Sequence, residues 1–407
     1  MGATERAHLE RSDGPALAPS TGRVGPVDHV AHVAILLLAP FASGAEHQTL
    51  ALCRYLGERC RVTLLANDEL ADLLAGDPFL RRYSETLDVR RLGPAFPAAP
   101  ARSVWGALQR SALYPRLQLA TWRTLRRVRP SAVHLVLAPS FFAYAPLFHA
   151  LPLPVVLTLS GEMRYARHFY GPAKRAAVRY AVSRADAVVV CSADERANLA
   201  VVAPAALGRA MVLDNFTDVA RFAPSPRKAP LVTFAARLHP EKGALLFLEA
   251  VARVHAAHPE AQFALMGRGE LEADVSRRME ALGLAGIVER GFTTDLAPLF
   301  ARSSVFVSCQ VHENLGSSSL LEAMASGNAV VATDVGQTWR IVDDTVGRRV
   351  PANPEALAAA ITGLLDDPTR AATLGLAARR RVQEHYGPGQ YVDRLLEVYA
   401  SAINRRR

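Results

Sequence analysis

Cysteine is scarce in this 407-residue chain, and its four residues, at 53, 60, 191 and 309, form no CxxC pair and show no metal-ligand spacing. A disulfide scaffold and a zinc-stabilised module are excluded, and the thiols are expected to be reduced and structural, as in a cytoplasmic protein. No short repeat runs through the sequence and 50% of it is hydrophobic, which excludes collagen-like and wholly disordered chains. An uninterrupted apolar helix of about 20 residues, long enough to cross a bilayer, is also lacking. The run 30–41 is too short, and the run 132–161 carries Pro139, Pro146, Pro152 and Pro154. Proline interrupts helical hydrogen bonding, so both runs are expected to be buried strands with turns. Residues 1–28 have no apolar core and read as a disordered lead, not a signal peptide.

Lysine is rare: of 47 basic residues only Lys174, Lys228 and Lys242 are lysines. Acid is missing altogether between Asp88 and Glu162, where nine arginines lie, as many as the formal net charge of +9. That region should prefer an anionic surface or ligand.

The length suits two domains. Unalternated apolar runs, the signature of strands covered on both faces, occur at His32–Pro40, Val62–Ala66, Ala132–Leu137, Val155–Leu159 and Ala187–Cys191. After a proline-rich passage the strand pattern restarts, with strands expected at Leu231–Ala236, Gln262–Met266, Ile287–Arg290, Ser304–Ser308 and Ala329–Thr333. Helix-sized segments separate them. The fold class is therefore α/β, with two facing doubly wound, Rossmann-like domains at 29–207 and 231–387 and a linker at 208–230. A last amphipathic helix, Tyr391–Asn404 within a segment 388–407 that ends in a basic tail, is expected to cross back to the first domain.

Ligands of such sheets bind beyond the carboxyl ends of the strands, so the strand-to-helix turns carry the chemistry. One turn holds Arg237 and Lys242 just before a helix start, whose free amides add about half a positive charge; a diphosphate fits there. Solvated surface cations would be the plain alternative. A second begins at Ser308 and runs through His312, Glu313, Asn314, Leu315, Gly316, Ser317, Ser318 and Ser319 to Glu322 and Gly327. Ser317 is a plausible N-cap and Gly327 a stop for a helix of about nine residues, with Ser318, Ser319 and Glu322 sharing a face. That carboxylate suits a sugar diol, or simply a cap. A third turn contains Gly44, Ala45 and Glu46, where the glycine could let backbone approach a phosphate closely.

With these turns, Leu213–Asp218, Arg221-Phe222, Met266-Gly267-Arg268-Gly269 and Val330–Gly336, the chain resembles the retaining GT-B glycosyltransferases of glycosyltransferase family 4 over nearly all of 29–404. The resemblance implies a nucleotide-sugar donor held by the second domain and a hydroxyl acceptor held by the first. It further implies that Arg237 and Lys242 neutralise the donor diphosphate, that Glu322 binds the ribose, that Glu313–Gly316 addresses the sugar, and that Gly44 lies near the phosphate or sugar. Ser317, Ser318 and Gly267 join the donor side. Glu313 and Glu322 enclose eight residues where the family usually has seven, so Glu313 and Asn314 are both candidates to face the sugar. Ser160-Gly161-Glu162 stands where the family has His-Asp, which makes Glu162, with Arg164, the candidate from the acceptor side.

No Asp-x-Asp motif is apparent, so no metal and no cofactor are expected, and the leaving group would rest on cations and amides. Alternatives are a nucleotide-sugar hydrolase or epimerase, a non-catalytic relative, and, more remotely, nucleic-acid binding through the Arg-rich segment 102–129. In that segment Pro115 is expected to divide two short helices. Their basic, aromatic-bearing surface suits an anionic membrane, an acidic acceptor, or merely solvent. The expected location is cytoplasmic, with peripheral contact to the inner membrane face.

Overall fold

A computed structural model describes residues 30–39, 44–94, 104–136, 138–312 and 316–406. The expected lead, most of the turn before Gly44, and Glu313, Asn314 and Leu315 lie outside the described residues.

The first domain is a seven-stranded sheet of β1 (His32–Leu37), β2 (Arg61–Ala66), β3 (Asp88–Arg91), β4 (Ala132–Val136), β5 (Val155–Leu159), β6 (Ala187–Val190) and β7 (Ala210–Val212). All neighbours are parallel, in the order β3-β2-β1-β4-β5-β6-β7. Its helices are α1 (Gly44–Gly57), α2 (Asp68–Gly76), α3 (Pro78–Ser84), α4 (Val104–Val128), α5 (Ala138–Ala150), α6 (Glu162–Phe169), α7 (Pro172–Ser183) and α8 (Ala193–Val202).

The second domain has six parallel strands: β8 (Leu231–Ala235), β9 (Gln262–Met266), β10 (Val288–Gly291), β11 (Val305–Ser308), β12 (Ala329–Thr333) and β13 (Gly347–Val350). Their order is β10-β9-β8-β11-β12-β13. The helices α9 (Ala244–Ala257), α10 (Glu272–Ala281), α11 (Ala297–Arg302), α12 (Ser318–Ala325), α13 (Thr338–Ile341), α14 (Pro354–Leu365) and α15 (Pro368–His385) cover it. The chain then returns through α16 (Pro388–Arg406), longer at both ends than its sequence pattern suggested.

The strands β1, β4, β8 and β12 are buried along their whole length, which is why they run apolar almost without alternation. In the first domain α1, α2, α3 and α16 cover one face of the sheet, and α4, α5, α6 and α7 the other. Buried His134 of β4 fixes α16: its Nδ1 bonds the Tyr399 hydroxyl at 2.7 Å and its Nε2 the Thr158 hydroxyl at 2.7 Å. Burial pushes the imidazole down to about 3, so the ring stays neutral in this apolar layer. No disulfide joins the four cysteines, all of which are among the described residues.

Two expectations about proline are overturned. The helix α4 runs unbroken through Pro115, and α5 forms where strand and turns were expected, with Pro146 inside it. Pro115 is exposed, so the carbonyl it leaves without a donor can turn to solvent, while Leu117, Thr121 and Leu125 anchor the following turns in the core. Three strands, β3, β7 and β13, were not anticipated, and β7 falls inside the expected linker, so the first sheet extends to Val212. Among the described residues no helix is long and apolar enough to cross a membrane.

Lys228 joins the linker to the second domain. Its ammonium donates to the carbonyls of Phe300, Ala301, Ser303 (2.7 Å) and Ser326 (2.9 Å) and to Asn328 Oδ1 at 2.6 Å. The C-terminal ends of α11 and α12, where carbonyls lack helical partners, thus converge on one cation. Burial pushes Lys228 down to about 8, which leaves it largely charged at neutral pH. Lys228→Met should cost about 3 kcal/mol in urea unfolding, because the carbonyls stay buried without a donor; an unchanged midpoint would refute this role.

Candidate functional site

In each sheet the strand order reverses at one point, between β1 and β4 and between β8 and β11. The crevice beyond the carboxyl ends of the strands opens there, and the two crevices face each other.

After β8 the chain makes the turn Ala236–Gly243. Leu238 is fully buried and its backbone N–H donates to Arg268 O at 2.8 Å, while Arg237 beside it is exposed. A short 3-10 turn, Pro240–Lys242, leads into Gly243 at φ 72°. A Cβ on Gly243 would sit 2.0 Å from Cys309 O. Only glycine lets this turn press against the end of β11. Lys242 Nζ then reaches Gln310 Oε1 at 3.1 Å, and Val311 N bonds Glu241 O at 3.0 Å. Gly267 serves the same packing: its Cβ would fall 2.0 Å from Ala236 O.

After β11, Gly316 adopts φ 74° and Ser317 caps α12, its side chain accepting from Leu320 N at 3.3 Å. Asn215 Nδ2 of the linker holds Gly316 O at 2.7 Å. From the opposite domain the first residue of α1 arrives at the same place, where a Cβ on Gly44 would lie 3.3 Å from Ser318 Oγ. Two helix N-termini, one from each domain, therefore converge at the cleft, and their dipoles favour an anion between them.

Glu322 lies one turn into α12, half-buried, and its carboxylate accepts no hydrogen bond among the described residues. Burial pushes it up to about 7, with Arg221 opposing the shift and Asp295 adding to it. A ligand with two adjacent hydroxyls would supply the missing donors.

On the acceptor side Glu162 folds back to accept from Ser160 N at the start of its own helix. Arg164 crosses the cleft: its guanidinium pairs with Glu241 Oε1 at 3.3 Å, and the Tyr165 hydroxyl donates to Glu241 Oε2 at 3.2 Å. Buried Glu195 sets this helix, accepting from the amides of Gly161, Met163 and Arg164 at 3.1, 2.7 and 3.2 Å. A further bridge spans the domains beyond α1, where Thr294 donates to Asp77 at 3.0 Å and Asp295 joins Arg221 at 2.8 Å and Arg82 at 3.5 Å. Glu241, Tyr165, Glu195 and Asp295 were not singled out from the sequence. Only the neighbour of Lys242 offered a local signal, and nothing local pairs it with residue 164. Among the described residues no group of three His, Cys, Asp or Glu side chains could hold a metal.

Two facing parallel-sheet domains, with cations and helix amides gathered at the cleft, define a GT-B architecture. The Glycosyltransferase Family 4 sequence model matches residues 42–221, and that of Glycosyl transferases group 1 matches residues 229–367. The two matches fall on the two domains, and the chain belongs to this glycosyltransferase family. It is 36% identical over 186 residues to the phosphatidyl-myo-inositol mannosyltransferase of Mycolicibacterium smegmatis, covering 42% of this chain and 47% of that protein. The chain thus spans about half the length of that relative. It is 27% identical to the glycogen synthase of Mycobacterium tuberculosis, over 72% of this chain and 73% of that protein. Among solved structures, Anabaena HepE in complex with UDP and glucose superposes with a TM-score of 0.73 at 19% identity, covering 90% of this chain and 98% of that one. Sucrose-phosphate synthase from Thermosynechococcus elongatus gives 0.69 at 21% identity, covering 91% and 98%. These likenesses show the fold.

The Glu322 shift has a measurable sign. An ionised carboxylate accepts from a diol better than a protonated one, so affinity for a nucleotide sugar should rise from about pH 6 to about pH 8. In the free protein the group's stabilising contribution is greatest below the ordinary carboxylate range and is lost as pH rises through about 7. Calorimetry should show Glu322→Gln binding more weakly and without this rise; unchanged affinity would contradict the assignment.

Proposed function

We propose that the protein is a retaining glycosyltransferase that moves a sugar from a nucleoside-diphosphate sugar to a hydroxyl acceptor without a metal. The observation that carries this reading is the meeting of Gly44 and Ser318, which brings the N-termini of α1 and α12 together across a cleft that Arg164 also spans to Glu241, in the turn that holds Arg237 and Lys242. Negative charge grows on the diphosphate as the glycosidic bond breaks. Fixed amides and cations stabilise that charge without reorganising, and more strongly in a closed cleft than in water.

In this reading Arg237 and Lys242 hold the diphosphate, Glu322 the ribose, and the segment Glu313–Gly316 the sugar. Gly44, Ser317 and Ser318 provide the amide-lined floor, and Gly267 keeps the Arg237 turn in place. The acceptor hydroxyl attacks from the face the diphosphate leaves, and a departing phosphate oxygen takes its proton. Arg164 and Glu162 mark the acceptor side. A lipid-carried or glycan acceptor accords with the names of the mannosyltransferase and glycogen synthase relatives. The basic surface of α4 accords with a peripheral position on the inner membrane face.

Lys242→Ala should lower turnover by about 100-fold or more, as loss of one such donor commonly does; a near-wild-type rate would sink the assignment. A thermal-shift screen with UDP-, GDP- and ADP-sugars identifies the donor, since ligand bound to the folded state raises the melting temperature. Release of free sugar at full rate without any acceptor would favour hydrolysis instead.

A further inference from the structure

The helices α6 and α7 form an elbow on the side of the first domain that also carries α4 and α5. Met163, Ala166, Val178 and Val182 from the elbow share one buried cluster with Leu117 and Leu125 of α4, so the exposed sides of these helices make the outer surface of a single layer. No Asp or Glu occurs between Glu162 and Asp186. The elbow's cations are exposed at Arg167, Lys174, Arg175 and Arg179, and their bonds go to neutral groups. Arg167 meets Asn198 Oδ1 at 3.2 Å, Arg175 meets Tyr170 O at 2.7 Å, Arg179 meets Val202 O at 3.0 Å, and Lys174 Nζ lies 3.7 Å from the centre of the Tyr170 ring. Their charge is therefore undiminished.

Large apolar side chains stand among these cations. Phe169 is 64% exposed and Tyr180 51% exposed, in a chain with only eight exposed large hydrophobic residues among those described. Gly171 through Ala177 are all exposed, so the first turns of α7 stand clear of the domain. On α4, Arg116, Leu119, Arg123 and Arg127 recur at steps of three and four and make an exposed stripe. Exposed aromatic rings between unpaired cations match the boundary of an anionic bilayer, where rings enter the headgroup layer and cations meet phosphates.

We propose that the outer face of α4 and the α6–α7 elbow docks on an anionic phospholipid surface, with Phe169 and Tyr180 entering the headgroup region. The near end of the elbow is already at the site, because Arg164 and Tyr165 touch Glu241, the neighbour of Lys242. Docking in this pose turns the mouth of the cleft toward an acceptor carried in the lipid, a consequence that rests on the transferase reading above.

The test is flotation of the full chain with phosphatidylcholine vesicles, with and without phosphatidylglycerol, alongside calorimetry with a nucleotide sugar. The wild type should float only with anionic vesicles and should detach at high salt. Lys174→Glu combined with Arg175→Glu, and separately Phe169→Asp, should each reduce the bound fraction about tenfold while leaving nucleotide-sugar affinity and melting temperature unchanged. Equal flotation on neutral vesicles, no effect of either variant, or tighter binding to DNA than to vesicles would overturn the docking proposal. Absence of nucleotide-sugar binding by the wild type would instead overturn the transferase reading and leave the docking result standing.

Discussion

The carbonyl ends of α11 and α12 meet on the ammonium of Lys228, and Arg379 of α15 adds bonds to the carbonyls of Ala325 and Phe222. Those contacts fix the far end of α12, while Ser317 and the Asn215 amide fix its near end. A helix held at both ends cannot slide or tilt. Its N-terminus therefore stays opposite Gly44, and Glu322, one turn in, stays at a set depth. The positions of the Arg237–Lys242 turn and of the Glu322 carboxylate relative to each other follow from this tethering and from the contact of Gly243 with the end of β11. Preorganisation of that kind is what lets neutral amides and a pair of cations act on a developing charge.

Charge in this protein is divided by chemistry as well as by place. Arginine serves where a planar fork can bridge, as Arg221 does between Asp295 and the Phe79 ring, 3.7 Å from its guanidinium carbon. The three lysines sit where a compact ammonium is needed: over the Tyr170 ring, at the convergence of helix carbonyls, and beside Gln310 in the cleft. Their rarity made Lys242 visible in the sequence, whereas Lys228 gave no sign of its role because its partners are backbone carbonyls and one side-chain amide oxygen spread over residues 300–328.

The inner strands were legible because burial on both faces leaves a plain apolar run. The strands β3 and β13 were not, because each lies at a sheet edge and carries arginines (Arg90 and Arg91, Arg348 and Arg349); β7 is three residues long and half-buried. Proline misled at Pro115 and Pro146, where packing of the surrounding turns outweighed one lost hydrogen bond in each helix. In the site, the cations and the capped helix were readable as local patterns. The pairing of Arg164 and Tyr165 with Glu241 was not, since it joins residues about 77 positions apart through the placement of two domains.

The return of the chain through α16 alters how the two domains can move. Polypeptide passes between them twice, once through residues 213–230 and once just before Pro388, and the two passages are laced together where Thr217 N bonds Tyr386 O at 3.0 Å. Phe216 and Tyr391 pack ring to ring at 4.6 Å alongside. A single tether would leave one body free to swing and twist in all directions. Two strands side by side act as a pinned joint, which removes most of that freedom and leaves rotation about the line through the pins. Any opening of the cleft is thereby confined to one arc, along which Gly44 and Ser318 would part and meet in the same register.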